Sequence, residues 1–142
     1  MTIKRLIEGR EPGVISCTAQ TSVAEAVALL AGRRIGALPV YDDGELAGIF
    51  SERDVIYQLQ NAGPAMLDKT VGEVMTAPPI TVEPATSVLD ALSLMTRRRI
   101  RHLPVIEGGR VTGFVSIGDL VKYRIERIEA EAEAMRSYIQ TA

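Results

Sequence analysis

Apolar residues recur along this chain with helical spacing in two places. Residues 23–30 and 88–95 each place apolar side chains at positions i, i+3, i+4 and i+7, the pattern of an amphipathic helix. A Thr-Ser pair precedes each segment, and serine is a preferred residue at a helix N-terminus. The pattern therefore predicts two capped helices with these apolar faces: Val23, Ala26, Val27, Leu30, Val88, Ala91, Leu92 and Met95.

Short apolar segments surround each of these helices. The runs at 14–15 and 79–82 come before the helices and are interpreted as first strands. After each helix, two apolar segments flank a glycine-containing turn, Asp42-Asp43-Gly44 in one case and Glu107-Gly108-Gly109 in the other. Such turns between apolar segments predict two β-hairpins.

The whole order of elements is repeated. Residues 15–56 align with residues 80–121 at a constant offset of 65 without a gap, and 16 of the 42 aligned positions are identical. Each copy leads into a further helix, which is expected to begin at Ser51 or Glu52 and again near Ile117. The chain is therefore predicted to be an α/β (α+β) protein, with two β-α-β-β-α units related by a pseudo-two-fold axis.

The segments outside the repeat carry different expectations. Asn61–Lys69 is expected to be a surface connection, because Gly63-Pro64 interrupts a helix, and Thr70–Met75 is expected to be a short helix. The last helix is expected to extend over residues 121–140, where apolar residues are spaced 4-3-4-3-4 as in a heptad seam. This seam either packs along its own domain or pairs with a second copy, and the second interpretation is favoured. The seam residues are Val121, Ile125, Ile128, Ala132, Met135 and Ile139.

Composition narrows the class of function. The 142 residues carry a net charge of −2, contain no tryptophan, and include no apolar run long enough to span a membrane. These features argue against a nucleic-acid surface and against a membrane protein. Cys17 and His102 are the only cysteine and the only histidine, so neither a metal site nor enzymatic acid–base or nucleophilic chemistry is expected. With no export signal at the N-terminus, a cytoplasmic location is expected.

One polar motif persists in both copies of the repeat. Ser51 and Asp54 in the first copy, and Ser116 and Asp119 in the second, stand three residues apart where a strand leads into a helix. A carboxylate on the first helical turn can accept both hydroxyls of a ribose, and nearby helix N–H groups favour a phosphate. The alternative is structural, because Ser-x-x-Asp also resembles a helix capping box. The two roles are compatible.

These features together resemble the cystathionine β-synthase (CBS) domain family. The resemblance rests on the doubled unit, on Leu-Pro-Val after a basic helix end, and on Gly-x-x-Ser-x-x-Asp in both copies. It implies a single Bateman module over residues 1–142, with CBS motifs at 13–61 and 78–124, similar to the small stand-alone bacterial members. In this family, two clefts between the motifs commonly bind AMP, ADP, ATP, NAD(H) or S-adenosylmethionine, and no cofactor is required.

The resemblance also assigns candidate binding residues to the two clefts. Asp54, with Ser51, is expected to bind ribose in one cleft, and Arg101 and His102 are expected to bind phosphate there. The adenine pocket of that cleft is expected to comprise Pro79, Ile80, Ile100 and Pro104. The cleft of Asp119 and Ser116 is expected to hold adenine among Val14, Ile15, Ile35, Gly36, Ala37 and Pro39. Because Gly36-Ala37 replaces Arg101-His102 there, the two clefts are expected to be inequivalent.

The leading hypothesis is a non-catalytic sensor of adenine nucleotides. Ligand binding would shift the relative angle of the two units and so signal to a regulated protein in trans, whose identity the sequence does not give. A homodimer is expected from the heptad seam. The alternative function is a dimerisation or scaffold module that binds no ligand.

Overall fold

The computed structural model describes residues 1–10 and 13–141 of the chain. Six helices, five strands and one 3-10 helix occur among these residues. In chain order they are α1 (Ile3–Ile7), β1 (Cys17–Thr18), α2 (Val23–Arg33), β2 (Ala37–Asp42), β3 (Glu45–Ser51), α3 (Glu52–Ala62), the 3-10 helix Gly63–Asp68, α4 (Val71–Val74), α5 (Val88–Arg98), β4 (His102–Glu107), β5 (Arg110–Ser116) and α6 (Ile117–Thr141). The predicted mixture of helices and strands, with an extended C-terminal helix, is confirmed.

The chain divides into two units, each built around one copy of the repeat. Gly13–Ile80 form the first-repeat unit. The second-repeat unit comprises the chain from Thr81 onward together with the N-terminal segment that contains α1. The N-terminal segment, which precedes the first repeat in the chain, therefore belongs to the second-repeat unit. The alignment of the two repeats does not predict this arrangement.

Matching backbone hydrogen bonds attach α1 and α4 to their units. Ile3 N–H donates to the carbonyl of Thr86 at 2.9 Å, and Val71 N–H donates to the carbonyl of Thr21 at 2.8 Å. The two acceptors are equivalent positions of the repeat. Helices α1 and α4 are therefore structural counterparts, and each completes one unit.

The sheet of each unit is centred on the predicted hairpin. Strands β2 and β3 pair antiparallel, β1 adds a parallel edge to β2, and β4 pairs with β5 in the same antiparallel register. The turn between β2 and β3 has positive φ at Asp43 and Gly44, and Gly108 and Gly109 repeat this geometry between β4 and β5. Two consecutive positive φ values suit the right-handed twist of the flanking strands, so the turn residues fix the hairpin register.

The predicted helix caps are also present. Ser22 Oγ accepts a hydrogen bond from Glu25 N–H at 3.1 Å, and Ser87 Oγ accepts one from Asp90 N–H at 3.0 Å. Six of the eight residues on the predicted apolar faces are buried, and Val27 and Leu92 are half-buried. The first-repeat core contains Val23, Ala26, Leu30, Leu38, Val40, Phe50, Met66, Val71 and Val74.

Two local expectations were wrong. Neither Val14-Ile15 nor Pro79-Ile80 lies in a strand, because the parallel edge begins only at Cys17, and its counterpart is reduced to one bridge between Val82 and Val105. Asn61–Lys69 is more than a surface connection, since α3 continues to Ala62 and the 3-10 helix buries Met66 completely. Apolar content alone does not set these boundaries, because a strand forms only where its backbone has a sheet partner.

Candidate functional site

Asp54 is held at the start of α3 by three donors. Its Oδ2 accepts hydrogen bonds from Ser51 N–H at 2.8 Å and from Ser51 Oγ at 3.3 Å, and its Oδ1 accepts one from Thr76 Oγ1 at 2.9 Å. Ser51 and Asp54 form a capping box, so the structural interpretation of the motif is confirmed here. Asp54 is only 8% exposed, the one buried charged or polar residue among those described. The carboxylate is thus fixed in orientation before any ligand arrives.

Thr76 reaches Asp54 because a short bridge fixes the chain after α4. Ile49 N–H donates to the carbonyl of Thr76 at 3.0 Å, and Thr76 N–H donates to the carbonyl of Ile49 at 2.9 Å. These two bonds hold Thr76 against β3, the strand that leads into Ser51 and Asp54. Sequence reasoning missed Thr76, since it lies 22 positions from Asp54 and outside the repeat.

Asp119 occupies the equivalent position at the start of α6 but has a different partner. Its Oδ2 accepts a hydrogen bond from Ser116 N–H at 2.9 Å, and its own N–H donates to Ser116 Oγ at 3.1 Å. Arg10 Nη2 lies 3.3 Å from Asp119 Oδ1 and forms an ion pair with it, while Arg10 Nη1 donates to the carbonyl of Phe114 at 3.4 Å. The carboxylate of the second-repeat unit is therefore already paired with a cation.

The repeat does not include residues 1–13, so the sequence pattern does not identify Arg10. A signal for its segment is nevertheless present in the sequence. Thr2-Ile3 followed by Leu6 matches Thr70-Val71 followed by Val74, in each case a threonine before two apolar residues three apart. This similarity indicates that the N-terminal segment, like α4, completes a unit.

The backbone places the residue before each hairpin next to the Ser-x-x-Asp motif of the same unit. Glu52 N–H donates to the carbonyl of Gly36 at 3.0 Å, and Ile117 N–H donates to the carbonyl of Arg101 at 2.8 Å. His102 pairs with Ser116 across β4 and β5, as Ala37 pairs with Ser51 across β2 and β3. Arg101 and His102 therefore lie near Asp119 in the second-repeat unit, and Gly36 and Ala37 lie near Asp54 in the first-repeat unit.

The two candidate phosphate ligands differ in their surroundings. Arg101 is exposed, and a permanently charged guanidinium there can bind an anion. The His102 ring stacks on Phe114, with ring centroids 5.6 Å apart and an angle of 14° between the planes. Since the carbonyl of Phe114 also accepts a hydrogen bond from Arg10, Arg10, His102 and Asp119 all lie around the end of β5.

The candidate adenine-pocket residues are divided between the two units. Those of the first-repeat unit range from exposed Ile15, through half-buried Val14, Ile35, Gly36, Pro79 and Ile80, to buried Ala37 and Pro39. In the second-repeat unit, Ile100 is half-buried and Pro104 is buried. The expected assignment of these residues to two clefts stays a prediction.

Two other kinds of site are absent from the described residues. Residues 1–10 and 13–141 contain no group of three or more His, Cys, Asp or Glu side chains placed to hold a metal ion. Over the same residues, no helix is both long enough and apolar enough to cross a membrane.

Both copies of the repeat match one known domain family. The model of the CBS domain matches twice, at residues 11–61 and 71–126. The chain belongs to the CBS domain family. Among curated relatives of this CBS pair, the mitochondrial CBS domain-containing protein CBSX3 of Arabidopsis thaliana is 40% identical over 129 residues, 87% of this chain and 63% of the relative. Inosine-5′-monophosphate dehydrogenase of Mycobacterium leprae is 40% identical over 124 residues, 85% of this chain but only 22% of that enzyme.

Solved structures agree with this classification. A signal-transduction protein with CBS domains from Burkholderia ambifaria superposes with a TM-score of 0.83 at 36% identity, covering 89% of this CBS pair and 95% of that chain. CBSX2 in complex with AMP gives a TM-score of 0.72 at 28% identity, over 88% and 96% of the chains. The CBS pair of MJ0100, in complex with 5′-methylthioadenosine and S-adenosylmethionine, gives 0.78 at 26% identity, over 89% and 98%.

Proposed function

We propose that this CBS pair is a non-catalytic, cytoplasmic sensor of adenosine-containing ligands. AMP is the reference ligand, with ADP, ATP and NAD(H) as related candidates. The observation that carries the proposal is the buried Asp54 carboxylate, which Ser51 and Thr76 hold at the N-terminus of α3. Two structural relatives that contain adenosine compounds support the same ligand class.

The carboxylate of Asp54 has limited but sufficient capacity for a ribose. An ionised carboxylate accepts about four hydrogen bonds, and Ser51 and Thr76 supply three donors. The fourth acceptor position of the carboxylate can accept one ribose hydroxyl. Rotation of the Thr76 hydroxyl away from Asp54 frees a second acceptor position for the other ribose hydroxyl. Because a hydroxyl can both donate and accept, Thr76 keeps a partner after the ribose binds.

The phosphate and the adenine would be bound by the residues that the family resemblance assigns. Arg101 and His102 would contact phosphate, with Arg101 as the permanent charge. Ile100 and Pro104, and Pro79 and Ile80, would contact the adenine of one ligand. For the other ligand, the adenine residues would be Val14, Ile15, Ile35, Gly36, Ala37 and Pro39.

We further propose that the two ribose sites are inequivalent. Asp54 is bonded to neutral donors, whereas Asp119 is already paired with the Arg10 guanidinium. A ribose that binds Asp119 must displace Arg10, and a ligand with a phosphate can accept the displaced guanidinium. Arg101 and His102 would still bind phosphate at the Asp54 site, but only the Asp119 site needs a phosphate to replace the carboxylate partner of Arg10. Binding at the Asp119 site should therefore depend more strictly on a phosphorylated ligand.

Signalling would proceed by a shift between conformations of the pair. A ligand can shift such an equilibrium only by the difference between its affinities for the two conformations. The regulated protein is proposed to bind in trans, and the exposed seam on α6 favours a homodimer as the signalling form.

The second candidate function is a scaffold that binds no nucleotide. The capping bonds favour it, because Ser51–Asp54 and Ser116–Asp119 already have a structural task without a ligand. The exposed apolar residues on α6 suit a scaffold as well as they suit a sensor.

A thermal-shift panel with AMP, ADP, ATP, NAD+, NADH and S-adenosylmethionine separates the two functions. A ligand at ~100 times its dissociation constant adds about 2.7 kcal/mol to the free energy of unfolding. For a domain of this size, that raises the melting temperature by roughly 5–10 °C. A folded protein that shows no shift with any of these ligands would favour the scaffold.

We expect Arg10→Ala to reduce the preference of the Asp119 site for phosphorylated ligands. In an Asp54→Ala background, removing the guanidinium exposes Asp119 to ribose, so adenosine should bind more tightly while AMP loses a phosphate contact. The ratio of the adenosine and AMP dissociation constants should fall about tenfold, since one charge-assisted bond contributes roughly 1.5–3 kcal/mol. Isothermal titration calorimetry measures both constants.

Arg5→Ala is the matched control for Arg10→Ala. Arg5 is exposed on α1 in the same segment, so its removal changes the net charge equally without changing the Asp119 ion pair. An unchanged ratio in Arg10→Ala, or an equal change in Arg5→Ala, would contradict the assigned role of Arg10.

A further inference from the structure

The apolar seam of α6 is exposed over most of its length. Every described residue from Ile125 to Thr141 is exposed, although the helix continues without interruption to Thr141. The exposed fractions of the seam include 50% for Ile125, 48% for Ile128, 64% for Met135 and 69% for Ile139. Helices gain most of their stability in water from packing an apolar face. A helix with four large, exposed apolar side chains on one stripe is therefore expected to pack against a partner.

The spacing of the stripe identifies the kind of partner. Val121, Ile128 and Met135 occupy d positions of a heptad, and Ile125, Ala132 and Ile139 occupy a positions. A seam of this period matches a second helix with the same period, because each a or d side chain enters a hole formed by four residues of the facing helix. A second copy of α6 supplies that helix.

The charges beside the seam select the relative direction of the two helices. In a parallel pair, each g position faces the e position of the next heptad of the partner. Arg124 at g then faces Glu129 of the partner subunit, and Glu131 at g faces Arg136 of the partner subunit. Both contacts, and their two symmetry mates, join opposite charges.

The antiparallel arrangement brings like charges together instead. Placing Val121 opposite the partner's Ile139 aligns all the apolar layers, and e positions then face e positions and g positions face g positions. Glu129 faces the partner's Glu129, and Glu131 faces the partner's Glu131. Like charges at these positions disfavour the arrangement.

We infer that two copies of this chain pair through α6 as a parallel, in-register, two-stranded coiled coil. The inference rests on the homodimer proposed above and adds its direction and register. Intrahelical ion pairs use some of the same charges, Arg127 with Glu131 at 3.6 Å and Arg136 with Glu133 at 3.3 Å. These pairs are exposed and weak, so the same side chains remain able to contact a second helix.

Disulfide trapping tests the direction. In a Cys17→Ser background, Ile139→Cys should give a covalent dimer within minutes of mild oxidation, because equivalent a positions face each other across a parallel pair. Gln140→Cys is the matched control, one residue further along and outside the seam, and should cross-link at least tenfold more slowly. In the antiparallel arrangement, the two introduced cysteines lie at opposite ends and do not cross-link.

Charge exchange tests the register without a cysteine. Glu129→Arg should raise the dimer dissociation constant about tenfold, since two attractive contacts become repulsive. Adding Arg124→Glu should restore the constant to within about threefold of the original. Sedimentation equilibrium measures all three proteins. A monomer at micromolar concentration overturns the homodimer, whereas a dimer without Ile139→Cys cross-linking or charge rescue overturns only the parallel pairing.

Discussion

Asp54→Ala should abolish the nucleotide-dependent thermal shift of the Asp54 site. The variant loses both carboxylate oxygens that would accept the ribose hydroxyls, and hydrogen bonds to a charged group contribute roughly 1.5–3 kcal/mol each. Two such bonds correspond to a loss of at least about 100-fold in affinity. Calorimetry with AMP at a concentration near the original dissociation constant should show no binding to this site.

The loss of affinity must be separated from a loss of stability. Asp54 also accepts hydrogen bonds from Ser51 and Thr76, so its removal lowers the free energy of unfolding by about 0.5–2 kcal/mol, as for other helix caps. The informative quantity is therefore the difference in melting temperature with and without ligand, measured within each variant.

Asp119→Ala provides the matched comparison. It removes the equivalent cap from α6 but leaves the Asp54 site intact. Asp54→Asn keeps the shape and part of the hydrogen bonding while removing the charge. Binding to Asp54→Ala with unchanged affinity would exclude Asp54 as a ribose ligand, whatever happens to the stability of the variant.

The repeat made much of the fold predictable because its signals are local. The hairpin turns required two consecutive positive φ values, which Asp43-Gly44 and Gly108-Gly109 adopt readily. The caps at Ser22 and Ser87 required only a hydroxyl three residues before an amide. Such features depend on neighbours along the chain, so a single sequence contains them.

The parts of the fold that the sequence did not predict depend on residues that are far apart along the chain. Met66 is buried because the 3-10 helix folds back over the core of the first-repeat unit, and no local pattern distinguishes it from an exposed methionine. The strand predicted at 79–82 is reduced to a single bridge, because Pro84 lacks the N–H that its repeat counterpart Ala19 donates to the Tyr41 carbonyl. Here tertiary context overrode the apolar pattern.

In the candidate site, too, the local features were predicted from the sequence and the contacts with distant residues were not. The Ser-x-x-Asp motif gave the two carboxylates and their capping serines, since all four lie within one helical turn. Their further partners, Thr76 and Arg10, come from segments outside the aligned repeat. The sequence suggested that the sites differ, but it located that difference at Gly36-Ala37 and did not include the ion pair of Asp119.

Gly48 and Gly113 are equivalent in the repeat, yet their replacement by alanine should have very different effects. A Cβ at Gly48 would lie 2.7 Å from the carbonyl oxygen of Thr76 and 2.8 Å from Met75 Sδ. A Cβ at Gly113 would first meet Ile7 side-chain carbons, at 3.2 and 3.3 Å. A side-chain end can rotate away, whereas the Thr76 carbonyl is fixed by its hydrogen bond from Ile49.

Gly48→Ala should therefore lower the free energy of unfolding by about 2–4 kcal/mol, combining overpacking with weakened bridge hydrogen bonds. Gly113→Ala should cost about 1 kcal/mol or less, because Ile7 can adjust. Urea denaturation of the two variants under identical conditions measures the difference. Equal destabilisation of the two variants would mean that the backbone bridge between Ile49 and Thr76 shifts as easily as the Ile7 side chain.

The same comparison connects packing to binding. Moving the Thr76 carbonyl away from β3 also moves the Thr76 hydroxyl, which donates to Asp54 at 2.9 Å. Gly48→Ala should therefore weaken nucleotide binding at the Asp54 site even at temperatures where the protein remains folded, while Gly113→Ala leaves that site unchanged. A Gly48→Ala protein that is destabilised but binds AMP normally would show that Asp54 orients the ribose without Thr76. The contribution of the segment after α4 would then be to stability alone.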